Sequence, residues 1–248
     1  MEKLIVANWK MHPLDEKRAV ELAKTEDKKG VVVIPPFPFL IPIKKKLKKA
    51  ALGAQDLFWE NSEDGGAFTG EVSAKMLQNI GVTYVIVGHS ERRRHLGETD
   101  EIVNRKMKTA LEAGLKVILC VGEDWDTRKK GIKEAQQSVE RQLRKNLEGI
   151  KKSALKAERM LIAYEPVWAV DTDRAENPQE IAEIARGIKA LLDKRFKIQN
   201  SKILYGGSVD GENARSIFTE AHVDGVLVGE ASIHESEFLK ILDAAHES

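Results

Sequence analysis

The stretch "AYEPVWAVDTDRA" at 163–175 closes an apolar run with a single carboxylate, Glu165, followed at once by Pro166, Val167 and Trp168 and then by an acidic segment. A carboxylate at the tip of a buried run is either an ion-pair partner or a base whose proton affinity burial has raised. Other reactive side chains close other apolar runs. Asn8 and Lys10 follow "LIVA", His89 and Glu91 follow "TYVIVG", and Cys120 and Glu123 lie in "CVGE". Two more runs end in glycine turns, "YGGS" at 205–208 and "VGEAS" at 228–232. Singly these signals are weak, because a lone histidine is more often a satisfied structural residue and a lysine more often faces water. Together they supply a lysine, a histidine, a glutamate and two glycine turns.

The elements that must carry these groups repeat along the chain. Apolar runs occur at 4–8, 31–35, 51–55, 83–88, 116–122, 160–165, 202–207 and 223–229. Most are unbroken, as expected for parallel strands covered on both faces. Charge-rich amphipathic segments separate them. In 177–196, Ile181, Ile184, Ile188, Leu191 and Leu192 fall on one helical stripe, Asn177 can cap, Pro178 suits the first turn, and Glu180 completes a capping box. Eight alternating strand and helix units in 248 residues predict an α/β fold, a single-domain (β/α)8 barrel over 1–248, with an open doubly wound sheet as the alternative. A barrel gathers the carboxyl ends of its strands on one rim, which is where all the groups above would stand. The lysines at 44–49 are expected on a solvated helix face.

Charged residues make up 32% of the chain but leave a formal charge of +1, which gives no general attraction to nucleic acid or membrane. One cysteine, Cys120, excludes an internal disulfide and fits a reducing compartment. "MEKLIVANWK" has a short apolar run without a cleavage-site pattern, and no run approaches the length of a membrane span. These features predict a cytoplasmic protein with no signal peptide.

Barrels commonly bind phosphate through the loops after the seventh and eighth strands. Gly206 and Gly207 allow close backbone approach, the Ser208 amide can join a nest, and Gly229 precedes the last helix, whose first amides are free. Tight turns alone would also account for these glycines. At this point the chain resembles the triosephosphate isomerase family: "NWKMH", "AFTGE", "VGHSERR", "CVGE", "AYEPVWA", "YGGS" and "DGVLVG" occur in that family's order. The resemblance implies interconversion of dihydroxyacetone phosphate and glyceraldehyde 3-phosphate through an enediolate, in glycolysis and gluconeogenesis. It implies Glu165 as the base, Lys10 and His89 as the groups stabilising the enediolate, and Glu91 and Cys120 as supporting residues. Substrate binding falls to Asn8, Lys10, Asp171, Ser208, Gly229 and Glu230, with no metal or organic cofactor and "PVWA" opening a lid over the base. It also implies a homodimer, formed through the loop around Phe68 and Thr69.

The chain departs from the family's pattern at Asp171, Asp173 and Glu230, where glycines are usual, and 58–71 is a few residues longer. Added carboxylates beside a dianion would repel it. Two other readings therefore stand beside an active isomerase: a catalytically impaired homologue acting through binding, and another phosphosugar-binding barrel enzyme.

Overall fold

The computed structural model describes residues 3–60, 65–170 and 177–248. Eight strands form a closed barrel: β1 Leu4–Asn8, β2 Val31–Ile34, β3 Ala51–Ala54, β4 Tyr84–Val87, β5 Lys116–Val121, β6 Met160–Tyr164, β7 Ile203–Tyr205 and β8 Gly225–Val228. Every neighbouring pair is parallel, and β1 closes on β8 with Leu4 opposite Gly225 and Ala7 opposite Val228. All eight apolar runs are strands, so the closed barrel replaces the open-sheet alternative. The helices are α1 Glu16–Glu26, α2 Leu40–Lys44, α3 Ala74–Ile80, α4 Ser90–Leu96, α5 Asp100–Glu112, α6 Trp125–Arg128, α7 Ile132–Asn146, α8 Pro178–Leu191, α9 Ala214–Glu220 and α10 Glu235–His246.

Side chains alternate across each strand and so divide the core in two. Val6, Val32, Ile34, Ile86, Ile118 and Leu204 fill the barrel's interior. Ile5, Ala7, Val31, Val33, Val85 and Val117 point outward and meet the helices. Burying each of these valine, isoleucine and leucine side chains contributes about 1.5–3 kcal/mol, which makes both faces of the strands a source of stability. This is why the runs read as unbroken apolar stretches.

Three local expectations change. Asn177 does cap α8, accepting from the Gln179 N–H at 2.9 Å, and such a cap contributes about 1 kcal/mol. Glu180 does not complete a capping box, because its carboxylate pairs with Arg128 of α6. The lysines at 44–49 do not share a helix face: α2 ends at Lys44, and the Asp27 carboxylate takes the N–H groups of Lys48, Lys49 and Ala50 instead. Finally, Gly229 precedes a short 3-10 helix, Glu230–Ile233, and only after it does α10 begin.

Candidate active site

The β1 tip places Asn8 in the rim, 4% exposed. Its Oδ1 accepts the Lys10 N–H at 3.1 Å, which fixes the amide so that Nδ2 faces His89. Lys10 holds a φ of 52°, a left-handed conformation that costs a non-glycine residue about 1–2 kcal/mol. The turn is held by Gln55, whose Nε2 donates to the Lys10 carbonyl at 2.7 Å. The Lys10 ammonium lies 2.6 Å from a Glu91 carboxylate oxygen.

His89 follows β4 and caps α4, its Nδ1 accepting the Glu91 N–H at 3.3 Å. The Glu91 N–H on Nδ1 favours the tautomer whose hydrogen is on Nε2. That nitrogen lies 3.4 Å from Glu165 Oε1 and 3.3 Å from Asn8 Nδ2. Two N–H donors thus stand side by side, and an oxygen seated between them would receive both.

Glu165 follows β6 and is 1% exposed. Its Oε2 accepts the Ser90 N–H at 3.0 Å, whereas its buried Oε1 has no hydrogen-bond partner. A buried, unsatisfied carboxylate oxygen is costly, by about 1–3 kcal/mol or more for a charged group, and calls for an explanation in function. Cys120 lies in the barrel interior, 1% exposed. Burial pushes its thiol well above the usual range, and the neighbouring Glu165 carboxylate pushes the same way.

One cavity of about 300 Å³ joins Asn8, Lys10 and His89 to Gly207, Ser208 and Gly229. Glu230 also lines it, exposed at the rim. The two glycines after β7 have packing reasons of their own. A Cβ at Gly206 would lie 2.8 Å from Glu165 Cγ, and one at Gly207 would lie 2.3 Å from the Tyr205 hydroxyl. The structure therefore joins Asn8, Lys10, His89, Glu91, Cys120 and Glu165 through neighbouring contacts, and Ser208, Gly229 and Glu230 line the same cavity as Asn8, Lys10 and His89. Asp171 and Asp173 lie outside the described residues.

Two further polar residues that end apolar runs take part in the site. Gln55, after β3, supports Lys10 as above. Glu123, after β5, is 1% exposed and accepts from Trp168 Nε1 at 3.0 Å and from the Tyr164 hydroxyl at 3.2 Å. Burial pushes the Glu123 carboxyl up, with the Trp168 N–H opposing it. Glu123 also takes the Val167 N–H on its carbonyl at 3.0 Å, which pins the residues just after Glu165 to the end of β5. The signal was present in both cases, a polar residue at a strand's carboxyl end, but the partners lie on other strands. Among the described residues no cluster of His, Cys, Asp and Glu is arranged to hold a metal ion.

The fold and the cavity define a class: a (β/α)8 barrel whose polar cavity opens at the carboxyl ends of the strands, where enzymes of this architecture do their chemistry. The family model for triosephosphate isomerase matches residues 3–245. Curated triosephosphate isomerases are similar over almost their whole lengths. That of Carboxydothermus hydrogenoformans is 43% identical over 249 residues, covering 96% of each chain. Those of Thermoanaerobacter pseudethanolicus and Dictyoglomus thermophilum are 42% and 39% identical, each covering 97% of this chain and 98% of the relative. The chain belongs to the triosephosphate isomerase family, whose members interconvert the triose phosphates.

Proposed function

We propose that Glu165, His89 and Lys10 carry out, in this chain, the reaction of its family. That reaction is an intramolecular aldose–ketose isomerisation between dihydroxyacetone phosphate and D-glyceraldehyde 3-phosphate. Glu165 takes the proton from the carbon beside the carbonyl and returns it to the neighbouring carbon. His89 Nε2–H and Asn8 Nδ2–H receive the substrate oxygen on which charge develops, and the Lys10 ammonium adds its positive charge. The roles of Glu165 as base and of His89 as neutral donor are the ones already known for the family. The observation that carries the reading is the buried Glu165 Oε1, without a hydrogen-bond partner and 3.4 Å from Nε2 of His89, a residue that lines the cavity together with Lys10. Ser208, Gly229 and Glu230 hold the phosphate through their backbone N–H groups, with Asp171 joining them. Glu91 and Cys120 support Lys10 and Glu165. Proton transfers complete the chemistry, so no metal or organic cofactor enters.

We further infer that one barrel domain spans 1–248 and works as a cytoplasmic homodimer. The presence of a single cysteine supports a reducing compartment, and no helix among the described residues is long and apolar enough to cross a membrane. The dimer is supported by an apolar groove beside Lys10, lined by Met11, Pro36, Phe37 and Leu96. Met11 is 81% exposed and Phe68 44%, and apolar surface of this kind marks a contact face.

A coupled assay of glyceraldehyde 3-phosphate consumption by the purified protein tests the activity. Glu165→Asp tests the base: retracting the carboxylate by one methylene should lower kcat by about 100-fold or more. Turnover like that of the parent would remove Glu165 from the role.

A further inference from the structure

One buried acid has no place in that chemistry. Glu26 is the last residue of α1 and 1% exposed. Both of its carboxylate oxygens accept from the Trp9 indole Nε1, each at 2.9 Å. Trp9 is equally buried and stands between Asn8 and Lys10. Its backbone is tied as well: its N–H donates to the Ile34 carbonyl at 3.2 Å, and its carbonyl accepts the His12 N–H at 3.1 Å. The next residue is the left-handed Lys10, a conformation that persists only where the surroundings enforce it. Asn8 and Gln55 hold that turn from inside the rim. The indole holds it from outside, in the layer between barrel and helices.

We propose that Glu26 is a positioning residue for Lys10: by anchoring the Trp9 indole to the end of α1, it fixes the turn that aims the ammonium into the cavity. Without Glu26 the buried indole N–H loses its partner. Reaching another means moving the ring, and the ring is joined to Lys10 by a single peptide unit. An unpaired buried donor is unfavourable enough to drive such a shift. The anchor needs an acceptor but not a charge. Burial pushes the Glu26 carboxyl well up, the Trp9 N–H opposes this, and the nearby Glu235 carboxylate adds to it. A carboxamide of the same shape should therefore serve.

The proposal rests on Lys10 being the substrate's cation, so Lys10→Met is measured beside the variants that test Glu26. These are Glu26→Gln, Glu26→Leu, Trp9→Phe and the Glu26→Leu/Trp9→Phe double variant, with kcat, KM and melting temperature read for each. Glu26→Leu and Trp9→Phe should each lose about tenfold in kcat/KM, and the double variant should lose no more than either, because both remove the same contact. Glu26→Gln should stay within about twofold of the parent. Unchanged kcat/KM in Glu26→Leu and Trp9→Phe, with only the melting temperature lowered, overturns the proposal, and so do losses that multiply in the double variant. Trp9→Phe keeps a ring in place and gives the answer if Glu26→Leu does not fold. If Lys10→Met works like the parent, the role of Lys10 falls and this inference with it. If Lys10→Met is crippled while the Glu26 and Trp9 variants are not, only this inference falls.

Discussion

The backbone N–H of Glu91 donates to His89 Nδ1 at 3.3 Å, and this contact decides which ring nitrogen faces the cavity. With Nδ1 occupied as an acceptor, Nε2 presents its hydrogen toward Glu165 and the space beside Asn8.

His89→Gln should therefore lower kcat by about 100-fold, the usual cost of losing or misplacing one donor to a developing oxyanion. Because the donor acts mainly on the transition state, KM should change far less. Steady-state kinetics at one pH decide it: a change confined to KM would contradict the role given to His89.

Glu26→Gln should alter how stability depends on pH. Burial raises the folded-state pKa of Glu26 well above its reference of 4.5. The folded protein then holds this proton more tightly than the unfolded chain does. The resulting stability is complete below about 4.5 and is lost as pH rises through the folded value. The amide has no proton to lose, so the variant should melt higher than the parent at pH 8, with the gap closing toward pH 4. Thermal melts across that range test the claim, and a gap independent of pH would defeat it.

Much of this site is legible in the amino-acid sequence. Asn8, Lys10, His89 and Glu165 each end an apolar run, and a parallel barrel must bring such ends to one rim. The contacts that stayed hidden join elements whose relative placement only packing decides. Glu26 meets Trp9 across the gap between α1 and β1, and Glu180 leaves its own cap for Arg128, a residue 52 positions away. Asp27 captures three backbone N–H groups after Lys44, in a stretch whose lysines suggested a longer helix. Periodicity reports which face of an element is apolar. It does not report which side chain on another element will offer a better partner.

Glu230 is exposed where it lines the cavity, so water screens its carboxylate. Glu230→Gln should change the affinity for a phosphate-bearing transition-state analogue by less than about threefold. A tenfold gain, about 1.4 kcal/mol, would show instead that this carboxylate repels the ligand.

The proposed homodimer is checked by light scattering at micromolar concentration. Placing a charge on the exposed apolar groove, as in Met11→Glu, should shift the population toward monomer and lower activity together. A fully active monomer of the parent chain would remove the claim.

The pairing of β1 with β8 has a consequence for the order in which the protein is made. Leu4 emerges from the ribosome long before its partner Gly225. Until then the growing sheet has two open edges, one of them always β1, with N–H and C=O groups ready to pair with any other extended chain. Packing of the helices onto partial sheets can proceed during synthesis, but ring closure waits for β8. A ribosome stalled before Gly225 therefore holds seven strands of the sheet with both edges unpaired, the state in which neighbouring nascent chains on one message are most prone to join edge to edge.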